Sequence, residues 1–410
     1  MKDEYGRTGL KRYGGRLNEE FERDLQGING VHVYQEMADN DDVVGAILYA
    51  IKMLIRQADW TVRAGGGEER DSEAAAFVES CLHDMQSTWT DTVSEILSFL
   101  TYGWSVHEIV YKRRMGHKSD VRLDSKFDDG LIGWQKLPIR AQETLYKWEY
   151  DKHDNLIAFV QMPAPEYRII RIPAEKILHF RTESRKDNPE GRSILRNAYR
   201  SWFYKKRIQE IEGIGIERDL AGFPVLIAPD GVNIWENANA ALNQTCNELI
   251  SNIRRDAMEG LVMPFGWELK LLSTGGSRQF DTSEIIKRYD RAISQTALAD
   301  FILLGHEGVG SFALSSDKTR LFSMAIGAYL NIICETFNRQ AIPKLIQMNK
   351  NKFGDAAIPI LEHGDIETQN LKELGDYLKC LSEMGFITPD EALEDFLRQQ
   401  ASLPPKLDDE

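Results

Sequence analysis

Two long helical patterns with a compact insertion between them constrain the fold of this chain more than any other feature. Apolar residues recur mostly three or four positions apart over residues 192–217 and again over residues 280–304. At 1.5 Å per residue such helices are about 36 to 39 Å long. Each pattern has an apolar stripe with charged flanks, so we expect neighbouring helices, including those of other copies of the chain, to cover it.

The segment between the two patterns, residues 221–279, predicts a small α/β insertion. A short strand is expected over residues 223–228 and a polar helix over residues 233–258. Residues 260–272 predict a second strand pair or a loop. The insertion is therefore a strand, a helix and a further strand enclosed by two long helices.

A glycine-rich loop is expected after the second long helix. That helix opens on Asp281-Thr282-Ser283-Glu284, which has the spacing of a capping box, and stops at Gly305. The loop contains no Lys or Arg and consists of Gly305, His306, Glu307, Gly308, Val309, Gly310 and Ser311. Without cations it is a poor phosphate cradle, and without a nearby nucleophile it is a poor active-site lid. A flexible contact surface fits it better than a simple connector.

The N-terminal half predicts a mixed α/β region behind a flexible arm. Residues 1–28 are glycine-rich, and all charges between residues 5 and 17 are basic, so we expect a flexible basic arm. The cluster Asp39-Asn40-Asp41-Asp42 offers N-cap groups to an apolar helix that reaches residue 58. Alternating patterns between residues 130 and 182 predict an antiparallel sheet.

The composition excludes several classes of protein. The chain has 410 residues and a net charge of -14, which argues against a tight grip on nucleic acid but leaves sliding contact open. The longest apolar stretch, residues 43–55, is too short for a membrane span, which needs about 20 residues. The polar start of the chain does not resemble a signal peptide. The cysteines Cys81, Cys246, Cys334 and Cys380 lie far apart and predict buried, reduced thiols in a cytosolic product.

The motifs that enzymes need are nearly absent. The chain has no Gly-x-x-x-x-Gly-Lys-Ser/Thr loop, and its eight histidines are scattered singly, so we expect no ATP-driven motor, no metal and no cofactor. Ser315 and Lys318 match the Ser-x-x-Lys signature of penicillin-binding hydrolases. The serine also precedes a helix expected from about Asp317 to Pro343, where a hydroxyl caps free N–H groups. A serine hydrolase is therefore an unfavoured alternative, and we expect no enzyme.

One dense basic run lies on the first long helix. It consists of Arg196, Arg200, Lys205, Lys206 and Arg207. Such a run is either a solvated helix face or a contact surface for DNA or a partner subunit. The sequence leaves both readings open.

An ordered series of short segments runs through the chain from about residue 30 to residue 400. The segments are 41–60, which ends near Ala58-Asp59-Trp60-Thr61-Val62, then Tyr102-Gly103-Trp104-Ser105-Val106-His107-Glu108-Ile109, Gly191-Arg192-Ser193-Ile194-Leu195, Ile216-Glu217-Arg218 with Gly222-Phe223-Pro224, 280–305 and 331–338. In this order they resemble the phage portal proteins, or head-to-tail connectors, and especially the Mu-like portal family. The resemblance rests on the layout more than on any one motif.

The resemblance implies a predominantly helical α+β fold of the portal type. Its regions are an N-terminal arm at 1–28, an α/β wing at 29–190, stem helices at 191–220 and 280–304, a small α/β clip at 221–279, a tunnel loop at 305–316, a wing or channel helix at 317–350, and a helical crown with an acidic tail at 351–410. The loop from Gly305 to Ser311 would then face DNA, and the basic run would contact DNA or a neighbouring subunit.

The resemblance also implies a ring of twelve subunits at one capsid vertex, which conducts double-stranded DNA during packaging and ejection. Expected partners are other copies, the DNA, terminase, the capsid or scaffold protein, and neck and tail proteins, with no membrane. Such a protein is made in the host bacterial cytoplasm and ends in the virion. Twelve copies at -14 carry -168, which repels phosphates and lets DNA slide. The main alternative is a DNA-binding adaptor of head assembly.

Overall fold

The chain divides into two compact units. The computed structural model describes residues 8–221, 223–252, 262–272, 281–297 and 312–364, together with residues 379, 380, 382, 384 and 394. Residues 1–194 and 304–410 form one unit, here called the flanking unit. Residues 195–303 form the other, here called the inserted unit. Both contain helices and strands, so the predicted α+β class is confirmed.

The helices are numbered along the described part of the chain. They are α1 (Gly27–Asn40), α2 (Asp42–Arg56), α3 (Glu69–His83), α4 (Trp89–Ile96), α5 (Ser98–Tyr102), α6 (Tyr199–Ala221), α7 (Ala240–Asn252), α8 (Thr282–Thr296), α9 (Phe312–Thr336), α10 (Ile342–Met348) and α11 (Lys350–Phe353). A π-helical turn, Phe337–Ala341, joins α9 to α10. Helices α6 to α8 belong to the inserted unit and the others to the flanking unit.

The strands are short and pair in small antiparallel sheets. They are β1 (Arg12–Tyr13), β2 (Arg16–Leu17), β3 (Trp60–Arg63), β4 (Trp104–Glu108), β5 (Val110–Arg113), β6 (Ile132–Lys136), β7 (Ile139–Arg140), β8 (Leu145–Tyr150), β9 (Leu156–Gln161), β10 (Ile170–Pro173), β11 (Ile177–Arg181), β12 (Phe223–Ile227), β13 (Glu268–Leu272) and β14 (Ile360–His363). The sheet orders are β10-β9-β8, β11-β4-β7, β1-β2, β5-β6, β14-β3 and, in the inserted unit, β12-β13.

The predicted apolar helix near residue 40 is confirmed as α2, with its cap. The Asp41 carboxylate accepts hydrogen bonds from the backbone N–H groups of Val43 at 3.1 Å and Val44 at 3.0 Å. These bonds satisfy donors that the first turn of a helix cannot pair internally. The helix then buries Ile47, Ile51 and other apolar residues of one face in the flanking unit.

The predicted antiparallel sheet is also confirmed, and an aromatic cluster packs it against the neighbouring sheet. Trp104 on β4 meets Trp148 on β8 edge to face, with ring centroids 5.2 Å apart. Trp148 meets Phe159 on β9 in the same manner at 5.3 Å. All three rings are buried. Edge-to-face pairs of this kind add to the free energy gained from burying the rings.

The N-terminal arm, predicted to be flexible, is folded over residues 8–28. Strands β1 and β2 form a hairpin, and the Gly15 carbonyl accepts a hydrogen bond from the Trp148 backbone N–H at 2.9 Å. The Arg12 guanidinium forms an ion pair with Asp154 and lies 3.8 Å from the centroid of the Tyr150 ring. The prediction was wrong because the basic side chains find acidic and aromatic partners more than 100 positions away.

The crown predicted from residue 351 does not begin there. Residues 350–353 form α11, and Phe353 packs against Phe77 of α3 with ring centroids 5.0 Å apart. Strand β14 then pairs with β3, so that Leu361 lies opposite Val62. These residues therefore belong to the core of the flanking unit. The later residues of the predicted crown lie almost entirely outside the described residues.

The first long helix of the inserted unit is shorter than predicted. Helix α6 begins at Tyr199, eight positions after the predicted start of the stem region, and its 23 residues span about 34 Å. Helix α8 has 15 residues, spans about 22 Å and ends at Thr296, and residues 298–304 of the second predicted helix lie outside the described residues. The predicted cap is confirmed, because Asp281 accepts hydrogen bonds from the N–H groups of Ser283 at 3.0 Å and Glu284 at 3.3 Å.

The next helix begins earlier than predicted. Helix α9 opens at Phe312, so the last residues of the predicted tunnel loop, 312–316, are helical. Pro343 lies in the first turn of α10, where its missing N–H costs no helical hydrogen bond. The predicted break at Pro343 therefore takes the form of a π-helical turn that comes directly before it.

The thiols follow the prediction at three of the four cysteines. Cys81, Cys246 and Cys334 are buried and form no disulfide, whereas Cys380 is exposed. Burial raises the pKa of Cys81 to about 11 and that of Cys334 to about 12. These two thiols stay protonated at neutral pH and act as small apolar side chains.

Candidate functional site

The inserted unit is organised by an ion pair between its two long helices. The Lys205 ammonium of α6 lies 2.6 Å from Asp290 Oδ1 of α8, and Lys205 is 1% exposed. Two helical turns further along α6, Glu212 accepts a hydrogen bond from the Thr282 hydroxyl at the start of α8. Higher numbers on α6 thus face lower numbers on α8, so the two helices run antiparallel in a register fixed by polar contacts.

The face of α6 that turns away from Lys205 is exposed and carries both apolar and basic side chains. At 3.6 residues per turn, Tyr204, Ile211 and Ile214 fall within about 80° of one another. Their exposed fractions are 46%, 62% and 51%. Arg207 lies in the same sector and is exposed as well. We call this surface, made of Tyr204, Arg207, Ile211 and Ile214, the outer face of α6.

One member of the outer face also contacts α8. The Tyr204 ring stacks on the Tyr289 ring with 6.5 Å between centroids and 20° between ring planes. The Tyr204 side chain therefore lies at the border between the paired surface and the outer face. The stack with Tyr289 limits the motion of the Tyr204 ring, which marks the edge of the outer face nearest to α8.

The structure divides the predicted basic run among different environments. Lys205 is buried in its ion pair, Lys206 lies 5.5 Å from the Trp202 ring centroid, and Arg207 lies 5.5 Å from the Phe203 ring centroid and 3.6 Å from Glu210. Arg200 is exposed, and Arg196 is half-buried. The run is not one solvated stripe, and Lys205 is not available to DNA.

The predicted tunnel loop cannot be placed, because Gly305, His306, Glu307, Gly308, Val309, Gly310 and Ser311 all lie outside the described residues. The two residues of the hydrolase alternative fall in α9. Ser315 and Lys318 occupy its first two turns, so Ser315 is inside the helix and does not hold the N-cap position predicted for it.

Two of the segments that carried the resemblance meet in the flanking unit. Gly103 has φ 92° and Gly191 has φ 56°, and a Cβ on Gly191 would lie 2.2 Å from the Gly103 carbonyl oxygen. The Ile194 backbone N–H donates to the Leu100 carbonyl at 3.0 Å beside them. Both positions require glycine for backbone reasons, since only glycine combines these angles with so close an approach. The two glycines therefore have a structural role where the segments meet.

Two half-buried titratable groups, His179 and Glu190, lie beside Trp148 and form no catalytic arrangement. Burial lowers the pKa of His179 to about 4 and raises the pKa of Glu190 to about 7. The Trp148 Nε1–H donates to Glu190 at 3.1 Å, and the His179 ring lies 5.3 Å from the Trp148 ring. No serine or cysteine nucleophile is hydrogen-bonded to any of these groups in the described part of the chain. The arrangement supports packing.

Neither a metal site nor a membrane-spanning helix is found among the described residues. No group of three or more His, Cys, Asp or Glu side chains is placed to hold a metal ion there. None of the helices in the described ranges combines the length and the apolar content that crossing a bilayer requires.

In the described residues, the chain of the α+β flanking unit is interrupted by the inserted unit, which contains helices α6 and α8. The chain belongs to the portal protein family of bacteriophage Mu, because the family model described as portal protein of Mu bacteriophage matches residues 31–401. This range confirms the resemblance drawn from the ordered segments. The family is structural, so the expectation that the chain is not an enzyme is confirmed as well.

Solved structures share the fold at low sequence identity. A chain from the virion of a native gene transfer agent particle matches with a TM-score of 0.54 and 12% identity, over 94% of this chain and 95% of that one. A chain from the neck of an empty gene transfer agent particle, computed with C6 symmetry, gives 0.53 and 13%, over 94% and 95%. A chain from the native neck, computed with C12 symmetry, gives 0.51 and 12%, over 97% of both chains. The portal-type fold is therefore confirmed.

Sequence reasoning missed the most specific contact of the inserted unit. Lys205 was grouped with its basic neighbours, and Asp290 was not singled out at all. The spacing of the residues contained a signal for this contact. Lys205 lies three positions after Trp202 and therefore on the buried side of the helix, whereas Arg207 lies on the exposed side. A lysine on the apolar stripe of a helix predicts an acidic partner on the helix that packs against it.

Proposed function

We propose that copies of this chain close into a ring of twelve at one vertex of a phage capsid, and that the ring conducts double-stranded DNA during packaging and ejection. The outer face of α6 is the observation that carries the proposal. Ile211 and Ile214 leave an apolar strip on a helix about 34 Å long, which another copy can cover. Membership of the portal family supports the capsid vertex, and the gene transfer agent neck computed with C12 symmetry supports twelve copies.

The charge of the chain supports a channel through which DNA slides more than a protein that binds DNA tightly. At -14 per copy, a ring repels the phosphates of DNA, so a duplex passes without strong binding. The basic run offers little to oppose this, since Lys205 is neutralised by Asp290. We propose that the loop at 305–311 faces the DNA and that the remaining exposed arginines of α6 contact the neighbouring subunit.

We assign the other regions from membership of the portal family. Residues 221–279 form the clip, which docks terminase during packaging and neck proteins afterwards, and the residues beyond 364 form the crown with its acidic tail. The protein is made in the host bacterial cytoplasm and is incorporated into the virion with the capsid or scaffold protein. Its partners are its own copies, DNA and these proteins.

The two alternatives are supported less well. A DNA-binding adaptor needs an accessible basic surface, and burial of Lys205 removes the centre of the predicted one. A hydrolase at Ser315 and Lys318 has no support in a structural family. An acyl probe that labelled Ser315 in the purified chain would favour the hydrolase over the ring.

The native mass of the purified chain tests the proposal directly. Mass photometry is expected to show a species near twelve times 46.8 kDa, and negative-stain images of it are expected to show a ring with a central hole. A chain that stays single at high concentration, even when produced together with its capsid and scaffold proteins, would contradict the proposal.

A pair of charge substitutions on α6 tests whether the outer face makes the ring. Ile211→Glu places a carboxylate in the proposed contact and is expected to abolish ring formation, because burying an unpaired charge is costly. Gln209→Glu adds the same charge at an exposed position about 160° away around the helix and is expected to leave rings intact. If the two variants form rings to the same extent, the outer face is not part of the contact between subunits.

A further inference from the structure

The flanking unit closes three of its sheet edges with amide side chains from one helical segment, the π-helical turn and the end of α10. Each amide hydrogen-bonds to the backbone of an edge strand at 2.8 to 3.0 Å: Asn338 to Leu361 of β14, Gln340 to His179 of β11, and Asn349 to Ile132 of β6. Edge strands with unpaired backbone groups recruit strands of other chains. Closing these three edges prevents such pairing.

Strand β10 lies at a sheet edge with which no other strand pairs in the described part of the chain. The sheet order β10-β9-β8 places β10 at one end. At the other end, the N-terminal hairpin covers β8, because the Trp148 N–H donates to the Gly15 carbonyl at 2.9 Å. By contrast, every residue from 164 to 171 is exposed. This sheet is therefore covered at one edge and open at the other.

The open edge presents backbone groups at alternate positions, because alternate residues of an antiparallel strand direct these groups to opposite sides. The Met162 N–H donates across to the β8 side at 2.8 Å. Gln161 is therefore directed toward β10, where it pairs with Ile170. The two neighbours of Ile170 on β10, Ile169 and Arg171, then direct their N–H and carbonyl groups away from the sheet.

A turn directly before the open edge is held by its own hydrogen bond. Tyr167 has φ 51°, a left-handed conformation that is uncommon for residues other than glycine, and its N–H donates to the Pro163 carbonyl at 2.9 Å. The exposed fractions of Tyr167, Ile169 and Ile170 are 63%, 61% and 43%. Large apolar side chains and outward backbone groups thus lie together on one exposed strand edge.

The charges beside this edge indicate what kind of chain fits it. Residues 162–171 contain Arg168, Arg171 and one acidic residue, Glu166, in a chain whose net charge is -14. Arg171 is paired with Glu149 at 2.6 Å. Arg168 is exposed and forms no ion pair within the described residues. An acidic side chain on an added strand would therefore find a cation that is not yet paired.

The same arginines disfavour a second copy of this chain as the occupant. In an antiparallel pairing of two β10 edges that aligns their isoleucines, Arg168 of one copy lies opposite Arg171 of the other. Like charges at opposed positions destabilise a sheet. The arginines therefore oppose pairing between copies, as charges on natural edge strands commonly do, and at the same time attract an acidic strand.

We infer that β10 is the docking edge for an extended segment of a different protein, in which apolar residues alternate with acidic ones. The segment adds a strand beside β10, its backbone bonds to Ile169 and Arg171, and one of its carboxylates pairs with Arg168. In strand addition the main-chain bonds provide affinity and the side chains provide specificity. The inference does not depend on how many copies assemble, so it holds or fails separately from the proposed ring.

A synthetic peptide tests this docking edge on the full chain. The probe is a short capped peptide in which valine alternates with glutamate, and the readout is hydrogen exchange over residues 168–171. Exchange is expected to slow several-fold with this peptide and to stay unchanged when lysine replaces its glutamates. A version N-methylated at alternate residues is expected to give no protection, because it cannot pair its backbone. If no peptide slows the exchange, or if the lysine peptide protects equally, the inference is overturned.

A charge reversal tests the role of Arg168. Arg168→Glu is expected to raise the Kd for the glutamate peptide about tenfold and to make the lysine peptide the better ligand. Lys152→Glu makes the same change of charge in the exposed turn between β8 and β9, at the other end of the sheet, and is expected to change that Kd less than about twofold. Equal effects of the two variants would contradict the proposed contact with Arg168.

The concentration of the chain itself distinguishes a second copy from a different protein. Without peptide, exchange over residues 168–171 is expected to be the same at low and high concentrations of the chain. If exchange slows as the concentration rises, and does so in Arg168→Glu as well, a second copy occupies the edge and the inference of an acidic partner is overturned.

Discussion

The two units of this chain differ in the burial of their large side chains. In the flanking unit Trp148 is 1% exposed and meets Trp104 and Phe159 through ring edges. In the inserted unit Trp235 is 79% exposed, and the long helices are joined by an ion pair and a stacked tyrosine pair. The flanking unit contains its own core, whereas the inserted unit exposes more of its apolar side chains. The stability of a subunit is therefore expected to depend mainly on the flanking unit, and the contacts that we propose between subunits lie on the inserted unit.

Two tryptophan truncations give the largest expected contrast between the units. Trp148→Ala leaves a cavity among buried rings and is expected to lower the free energy of unfolding of the flanking unit by about 4 kcal/mol. Trp235→Ala is expected to change the stability of a single subunit by less than about 0.5 kcal/mol, because the ring is already in solvent. Chemical denaturation followed by circular dichroism compares them. Similar losses in both variants would contradict the division drawn between the units.

The ion pair is the next largest test, and it concerns the inserted unit alone. Lys205→Met leaves Asp290 unpaired beside an apolar surface and is expected to cost about 3 kcal/mol, somewhat reduced because a fifth of the Asp290 side chain is exposed. Adding Asp290→Leu is expected to recover most of the loss, since no lone charge then remains. Hydrogen exchange at α6 and α8 measures both effects. The control is Lys206→Met on the same helix, for which a loss below about 1 kcal/mol is expected.

Acid is expected to weaken the flanking unit through His107. Burial lowers the pKa of His107 to about 4 from 6.5, despite a hydrogen bond to the Leu137 carbonyl. The unfolded chain then binds more protons between these values, so stability is complete above pH 6.5 and is lost as the pH falls toward 4. The expected loss at pH 5 is about 2 kcal/mol. His107→Gln is expected to remove about half of the acid loss that comes from buried histidines, because the pKa of His179 in the same unit is lowered to about 4 as well, whereas His117→Gln, at an exposed ring, is expected to change nothing.

The smallest expected effect concerns the N-terminal hairpin. Arg12→Ala removes the ion pair to Asp154 and the contact with the Tyr150 ring, both of which are partly exposed, and is expected to cost about 1 kcal/mol. Hydrogen exchange at the Trp148 amide, which donates to Gly15, is expected to rise in this variant. Arg23→Ala, at an exposed position, serves as the control. Unchanged exchange in both variants would mean that Arg12 does not hold the hairpin.

Local patterns in the sequence were sufficient where the structure is decided by neighbouring residues. The cap at Asp41, the cap at Asp281 and the strands β8 and β9 could all be read directly from the sequence. Helix α1 was missed because few of its positions are apolar, and only Gly30, Tyr34 and Met37 are buried. Its place follows from contacts with the rest of the unit, which no local pattern contains.

The candidate site could be predicted only in outline. The apolar stripe of the first long helix pointed to a contact between copies, and the outer face of α6 agrees with that expectation. Which residues of the stripe stay exposed depends on where α8 packs, and the sequence does not contain the register between α6 and α8. The exposure of Trp235 and Phe265 had no signal in the sequence, because buried and exposed aromatic residues have the same spacing in a short loop.

The pairing of β3 with β14 determines the order in which the chain can fold during its synthesis. Arg63 and its partner Glu362 lie 299 positions apart, so at about 5 to 20 residues per second the ribosome completes the second strand roughly 15 to 60 seconds after the first. The inserted unit leaves the ribosome whole within that interval. Strand β3 of the flanking unit therefore stays without its partner strand until nearly all of the chain has been made.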